Sequence, residues 1–252
     1  MSGPATLRRL AQRLLPLIDL TDLDAQDHAV HRLCARARTP AGNVAAVCIA
    51  QSLVPLAKAA LAGSAVPVAV AVNFPDGAGA LDDVIAELAA AIAAGADEID
   101  LVLPYRALLA GDRAALVALT RAARVACGRK VLLKTILETG QLGTPALIRR
   151  AAEAAIEGGA DFLETATGAT QPGATPEAAA VMLTVIAEAQ RRRRWVGFKA
   201  AGGIRSLSEA QPFLALYDRI LGEGAASAAG FRIGGDALLN DVLLALGLPV
   251  EE

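Results

Sequence analysis

The strongest constraint on the fold is an alternation repeated eight times along the chain. Short apolar runs rich in strand formers occur at 17–21 (LIDLT), 44–50 (VAAVCIA), 67–74 (PVAVAVNF), 98–104 (EIDLVLP), 131–138 (VLLKTILE), 161–168 (DFLETATG), 196–203 (VGFKAAGG) and 230–235 (GFRIGG). Ala- and Leu-rich stretches of helical periodicity lie between them, such as LDDVIAELAAAIAAG at 81–95 and TPALIRRAAEAAIEGG at 144–159. Parallel strands need a crossover, and a helix supplies it. Eight such units in 252 residues predict an α/β fold, a closed (β/α)8 TIM barrel. The chain reads as a single domain over 1–252, with an N-terminal helix over 1–14 and the barrel over about 15–247. A doubly wound open sheet is the competing arrangement, but no G-x-G-x-x-G opens a helix after the first run.

Composition narrows the function classes. Apolar residues make up 54% of the chain, enough for a large core. A net charge of -2 gives no electrostatic reason to expect nucleic acid or an anionic membrane as partner. No apolar run reaches the length of a membrane span, and the start of the chain reads as an amphipathic helix rather than a signal peptide. Cys34, Cys48 and Cys127 have neither an even count nor metal-ligand spacing, so free thiols and a cytoplasmic location are expected. His28 and His31 have no second ligand set nearby, so no metal or cofactor is expected. The RRRR run at 191–194 reads as a solvated helix end, and Trp195 as a packing residue.

Barrel active sites lie at the C-terminal ends of the strands. The polar residues there are Asp19, Thr21, Cys48, Asn73, Asp100, Lys134, Glu138, Glu164, Thr165, Thr167 and Lys199. The two lysines stand out, because the chain has only four lysines against twenty arginines. Only lysine loses its proton readily when desolvated, so its use inside two apolar strands points to amine chemistry or to buried ion pairs. Asp19 and Asp100 are each expected to pair with a lysine, since an unpaired buried carboxylate is costly. Glycine pairs in AAGGIR (200–205) and RIGGDALL (232–239) follow the last two strands, where backbone N–H groups can hold an anion or simply form tight turns. Asp236 is placed to cap the last helix and to repel a phosphate there.

Five stretches carry a resemblance: LIDLTDL, KTILETG, GADEIDLVLPYRALLAGD, GGADFLETATGATQPGATPEAA and VGFKAAGGIR. With these motifs the chain resembles the deoxyribose-phosphate aldolase family along nearly its whole length. The resemblance implies a metal-free class I aldolase that splits 2-deoxyribose 5-phosphate into acetaldehyde and glyceraldehyde 3-phosphate through a lysine Schiff base. It implies Asp100 as acid/base residue, Lys199 as the lysine that tunes the Schiff-base amine, and Lys134 as a further active-site lysine. Gly168, Gly202, Gly203 and Gly234 match phosphate contacts, and Cys48 a pocket-facing thiol. Asp19, Thr21, Thr165, Thr167, Arg205, Gly235 and Asp236 complete the expected substrate-binding set, for a small aldehyde or sugar. The family's frequent dimers imply a homodimer.

The nucleophile itself does not carry over: Glu164 stands at the Schiff-base lysine position. Ala166, Ala169, Ala200, Asp236 and Ala237 also depart from the family pattern around the same pocket, and the chain ends at GLPVEE without the tyrosine-tipped tail of many members. The departures imply a pocket rebuilt by divergence or engineering, with weak or absent turnover of the family substrate. Three readings stay open: amine chemistry moved to Lys199, enolisation or aldol chemistry of a non-phosphorylated carbonyl compound by Glu164 and Lys199 without an imine, and a scaffold that only binds ligand.

Overall fold

A computed structural model of the chain describes residues 4–250. Its eight parallel strands are β1 (Ile18–Asp22), β2 (Ala46–Ile49), β3 (Val68–Val72), β4 (Glu98–Val102), β5 (Leu132–Ile136), β6 (Phe162–Glu164), β7 (Gly197–Ala200) and β8 (Phe231–Gly234). Each pairs with its neighbours in chain order, and β8 pairs back onto β1, so the sheet closes into the expected barrel. The helices are α1 (Pro4–Leu14), α2 (Asp27–Arg36), α3 (Val54–Ala60), α4 (Leu81–Ala93), α5 (Tyr105–Leu109), α6 (Arg113–Cys127), α7 (Thr139–Leu142), α8 (Pro145–Gly158), α9 (Pro176–Arg191), α10 (Leu207–Leu221) and α11 (Ala237–Leu246). Residues 1–3 of the expected N-terminal helix lie outside the described residues. Helix α1 packs on α10 and α11, with Arg13 paired to Asp218.

Local chemistry fixes where the helices start. Thr144 and Thr175 each accept an N–H of the first turn and are followed by proline, whose ring geometry suits that position. Ser206 and Glu209 form a reciprocal capping box on α10. The period-two pattern of the strands then divides the interior in two. Outward residues such as Ile18, Leu20, Val47, Val70, Ile99, Leu133, Leu163, Phe198 and Ile233 belong to the apolar core between sheet and helices. The inward positions are different. Ala46, Ala69 and Ala71 are small, and opposite them long charged side chains fill the barrel lumen.

Cys34, Cys48 and Cys127 are all free and buried. Arg191, the last residue of α9, and Arg192 and Arg193 just beyond it are exposed, as expected of a solvated helix end, while Arg194 turns back to donate to the Ala160 carbonyl. Trp195 differs from expectation: it is 64% exposed rather than packed, in the irregular stretch between α9 and β7. Among the described residues, no helix is long and apolar enough to cross a membrane.

Candidate active site

Seven ionisable side chains converge inside the barrel from six strands: Asp19, Glu98, Asp100, Lys134, Glu164, Lys199 and Arg232, each at most 5% exposed. Register explains their meeting. Asp100 lies beside Lys134 across β4 and β5, and Lys199 lies between Glu164 of β6 and Arg232 of β8, so all point to the same side. Lys134 Nζ contacts Glu98 at 2.5 Å, Asp100 at 2.8 Å and Asp19 at 3.1 Å. Lys199 Nζ contacts Asp100 at 2.6 Å, Glu164 Oε1 at 3.1 Å and Asp19 at 3.3 Å. Arg232 closes the lower side, reaching Asp19 at 2.6 Å and Glu98 at 3.0 Å. Asp19 and Asp100 therefore do pair with lysines, as expected.

Charge balance decides which group is unusual. The cations Lys134, Lys199 and Arg232 are matched by the anions Asp19, Glu98 and Asp100, and a fourth carboxylate has no cation of its own. Burial alone would raise Asp19 and Asp100, but Lys134, Lys199 and, for Asp19, Arg232 outweigh it and hold both below the ordinary carboxylate value. Burial would lower Lys199, but Asp100, Glu164 and Asp19 raise it well above the ordinary lysine value. Lys134 is raised likewise, against its own burial, by Asp100, Asp19 and Glu98. Glu164 goes the other way: burial, helped by repulsion from Asp100, pushes it up to about 8 despite Lys199. Its Oε2 is buried and makes no hydrogen bond. Burial thus favours the neutral form of Glu164 beside the Lys199 ammonium. Cys48 donates to Asp100 at 3.8 Å, and burial raises its thiol well above the ordinary value.

Cys48, Asp100, Glu164 and Lys199 floor a cleft of about 390 Å³ at the C-terminal ends of the strands. Of the expected site residues, Thr21, Cys48, Asp100, Glu164, Thr167, Gly168, Lys199, Gly202, Gly203, Arg205, Gly234, Gly235 and Asp236 line it. Lys134 and Asp19 lie beneath the floor, fully buried, and reach the cleft only through Asp100 and Lys199. Thr165 does not line it either; its hydroxyl donates to the Ala201 carbonyl at 2.7 Å and accepts the Ala201 N–H, tying β6 to β7. The capping role expected of Asp236 is overturned. It makes no cap bond to α11, and its carboxylate instead meets Arg36 of α2 at 2.5 Å.

Three residues were missing from the expected site. Glu98 and Arg232 complete the charge network, and both were visible as charged residues at inward positions of apolar strands, Glu98 two residues before Asp100. Arg36 gave no signal, because only the fold brings α2 to α11. Glu138, which sequence placed at a strand end, proves to be a buttress. It sits at φ 55°, and its buried carboxylate accepts the Thr167 N–H at 3.2 Å, the Thr167 hydroxyl at 2.7 Å and the Thr170 hydroxyl at 3.0 Å. It thereby holds the loop after β6 that forms one wall of the cleft.

The structure is thus a closed (β/α)8 barrel with Lys199, Asp100 and Glu164 at its C-terminal mouth and Lys134 beneath them. Residues 17–239 match the DeoC/LacD family aldolases, and the chain belongs to that family. Among solved structures, it is similar to a candidate deoxyribose-phosphate aldolase of Toxoplasma gondii ME49, with TM-score 0.88, 26% identity and 97% of each chain covered. It is also similar to a candidate deoxyribose-phosphate aldolase of Coccidioides immitis, with TM-score 0.77 and 28% identity over 92% of this chain and 85% of that one. A tetrameric deoxyribose phosphate aldolase of Aeropyrum pernix shares the fold, with TM-score 0.72 and 22% identity over 98% and 93% of the two chains.

Proposed function

We propose that this chain catalyses aldol-type carbon–carbon cleavage, or its reverse, on a small hydroxy-carbonyl compound without a covalent imine. One observation carries the reading: the unpartnered, buried Oε2 of Glu164 at the cleft wall, with Oε1 3.1 Å from the Lys199 ammonium. By resemblance, Glu164 stands where family members carry the imine-forming lysine, and a carboxylate cannot form an imine. Lys199 is a poor substitute, since the Asp100 and Asp19 carboxylates lie against it and keep it protonated. Turnover of 2-deoxyribose 5-phosphate by the family route is accordingly weak or absent.

The same features suit a non-covalent route. The Lys199 ammonium polarises the substrate carbonyl and stabilises the oxyanion. The β-hydroxyl proton passes to Asp100, which lies at the cleft wall, as the carbon–carbon bond breaks and its electron pair enters the enolate. Glu164 then delivers its proton to the enolate carbon, and the proton on Asp100 returns through Lys199 to Glu164. The tight cage around Lys199 favours one second reading, ligand binding without turnover. The test is proton NMR of small aldehydes and hydroxyaldehydes with the protein in D2O, alongside borohydride trapping. Deuterium exchange next to the carbonyl, without a trapped adduct and lost in Glu164→Gln, is the expected result. A trapped adduct on Lys199 refutes the non-covalent route, and absence of exchange across the panel leaves the binding-only reading.

A further inference from the structure

The outer end of the cleft is formed by Gly202, Gly203, Arg205, Gly235, Asp236 and Ala237. Gly203, at φ 91°, lays bare backbone that no side chain covers, and Gly202, at φ 102°, packs closely against Ala166 and Gly173. The ten-residue helix α11 begins here, so its first N–H groups and its positive dipole end face the same space. The Glu164 carboxyl, whose buried Oε2 has no hydrogen-bond partner, lines this cleft from below. Such an end would suit an anion, were it not for Asp236. Its side chain is 46% exposed and bonds none of the α11 N–H groups. Arg36 holds it from outside and is itself fixed at two points, by Asp236 at 2.5 Å and by the Asn240 side-chain oxygen at 3.0 Å.

We propose that Arg36 and Asp236 form a selectivity pair that fills the anion's electrostatic place with the protein's own carboxylate. The outer subsite therefore takes the uncharged, hydroxylated end of a carbonyl substrate and rejects a phosphate. A phosphate seated on the glycine backbone would lie against a carboxylate anchored by Arg36, and such a like-charge contact is a device of exclusion. Arg205 also lines this end and, like Asp236, is exposed to solvent, so screening weakens both charges alike. An uncharged hydroxyl, in contrast, can donate to Asp236 and accept from the backbone.

This inference rests on reading the cleft as a carbonyl site, so its test is independent of turnover. Inorganic phosphate is titrated into the full chain and into Asp236→Asn and Asp236→Glu, with binding followed by calorimetry and folding by melting temperature. Asp236→Asn is expected to bind phosphate at least about tenfold more tightly than the parent chain, equivalent to about 1.4 kcal/mol, while Asp236→Glu stays at the parent value. Equal affinity of parent and Asp236→Asn overturns the proposal, whether that affinity is high or low. Failure of the reaction proposal would appear separately, as absent deuterium exchange.

Discussion

Replacing Glu164 by glutamine should remove a pH dependence of stability that the parent chain shows between pH 5 and 8. In the unfolded chain Glu164 titrates near its ordinary value of 4.5, and in the folded chain near about 8. Between those values the native state binds a proton that the unfolded state has released, so stability falls as pH rises. The slope approaches about 1.4 kcal/mol per pH unit. From pH 5 to pH 8 the parent should lose roughly 3 to 4 kcal/mol, a large share of the 5–15 kcal/mol typical of a folded domain. Asp19 and Asp100 do not contribute in this window, because their folded values are depressed and their stabilising effect is lost only as pH falls through those lower values. His28 and His31 are exposed and remain in both proteins. Glutamine keeps the shape of the side chain and carries no titrating proton. Urea unfolding of both chains at pH 5 and pH 8 measures the difference. Equal loss in the two proteins, or no loss in the parent, would show that Glu164 is ionised throughout and would undo the charge-balance argument.

Further outcomes follow from the same network. Deuterium exchange by the parent should climb as pH rises through about 8, because removing the hydrogen next to the carbonyl is the reverse of the donation by Glu164 and needs its carboxylate; a rate that falls through this pH would exclude Glu164 as the exchanging group. Glu164→Lys should give a borohydride-trapped acetaldehyde adduct at residue 164, read by peptide mass spectrometry; a protein that stays untrapped would count against the positional match to the family's lysine. Arg232→Met should destabilise the fold by about 3–5 kcal/mol, because Asp19 and Glu98 would keep their charges with one cation fewer, and urea midpoints check it. Glu138→Ala should raise KM about tenfold with a smaller effect on kcat, by freeing Thr167 and Thr170. A change confined to kcat would separate Glu138 from the cleft wall.

How much of this was legible in sequence depended on the range of each signal. The eight apolar runs were visible because period-two burial is written locally, and LIDLT, EIDLV and VGFKA placed Asp19, Asp100 and Lys199 in one barrel. The same periodicity put Glu98 and Arg232 on inward faces, but a single charged residue near a strand start is as easily read as a solvated end. Arg36 was beyond reach. Its partner Asp236 lies 200 positions away, and no local pattern records which helix will stand beside which. The capping role of Asp236 failed for a related reason: cap preference is a local tendency of modest size, and a cation supplied by tertiary structure outcompeted it.

The buried charges also explain why one substitution can redirect this kind of site without dissolving it. Three cations against three anions form a closed set, so a fourth group at residue 164 is free to be either base or acid. A lysine there would face Lys199, and mutual repulsion would depress its protonation and leave a nucleophilic amine. A glutamic acid there faces Asp100, and burial with repulsion keeps it neutral, leaving a proton donor. The surrounding six ionisable groups are ion-paired with one another without residue 164. On the proposed reading, residue 164 sets the chemistry at this mouth, while Asp19, Glu98, Lys134 and Arg232 pair with one another in the lumen beneath it.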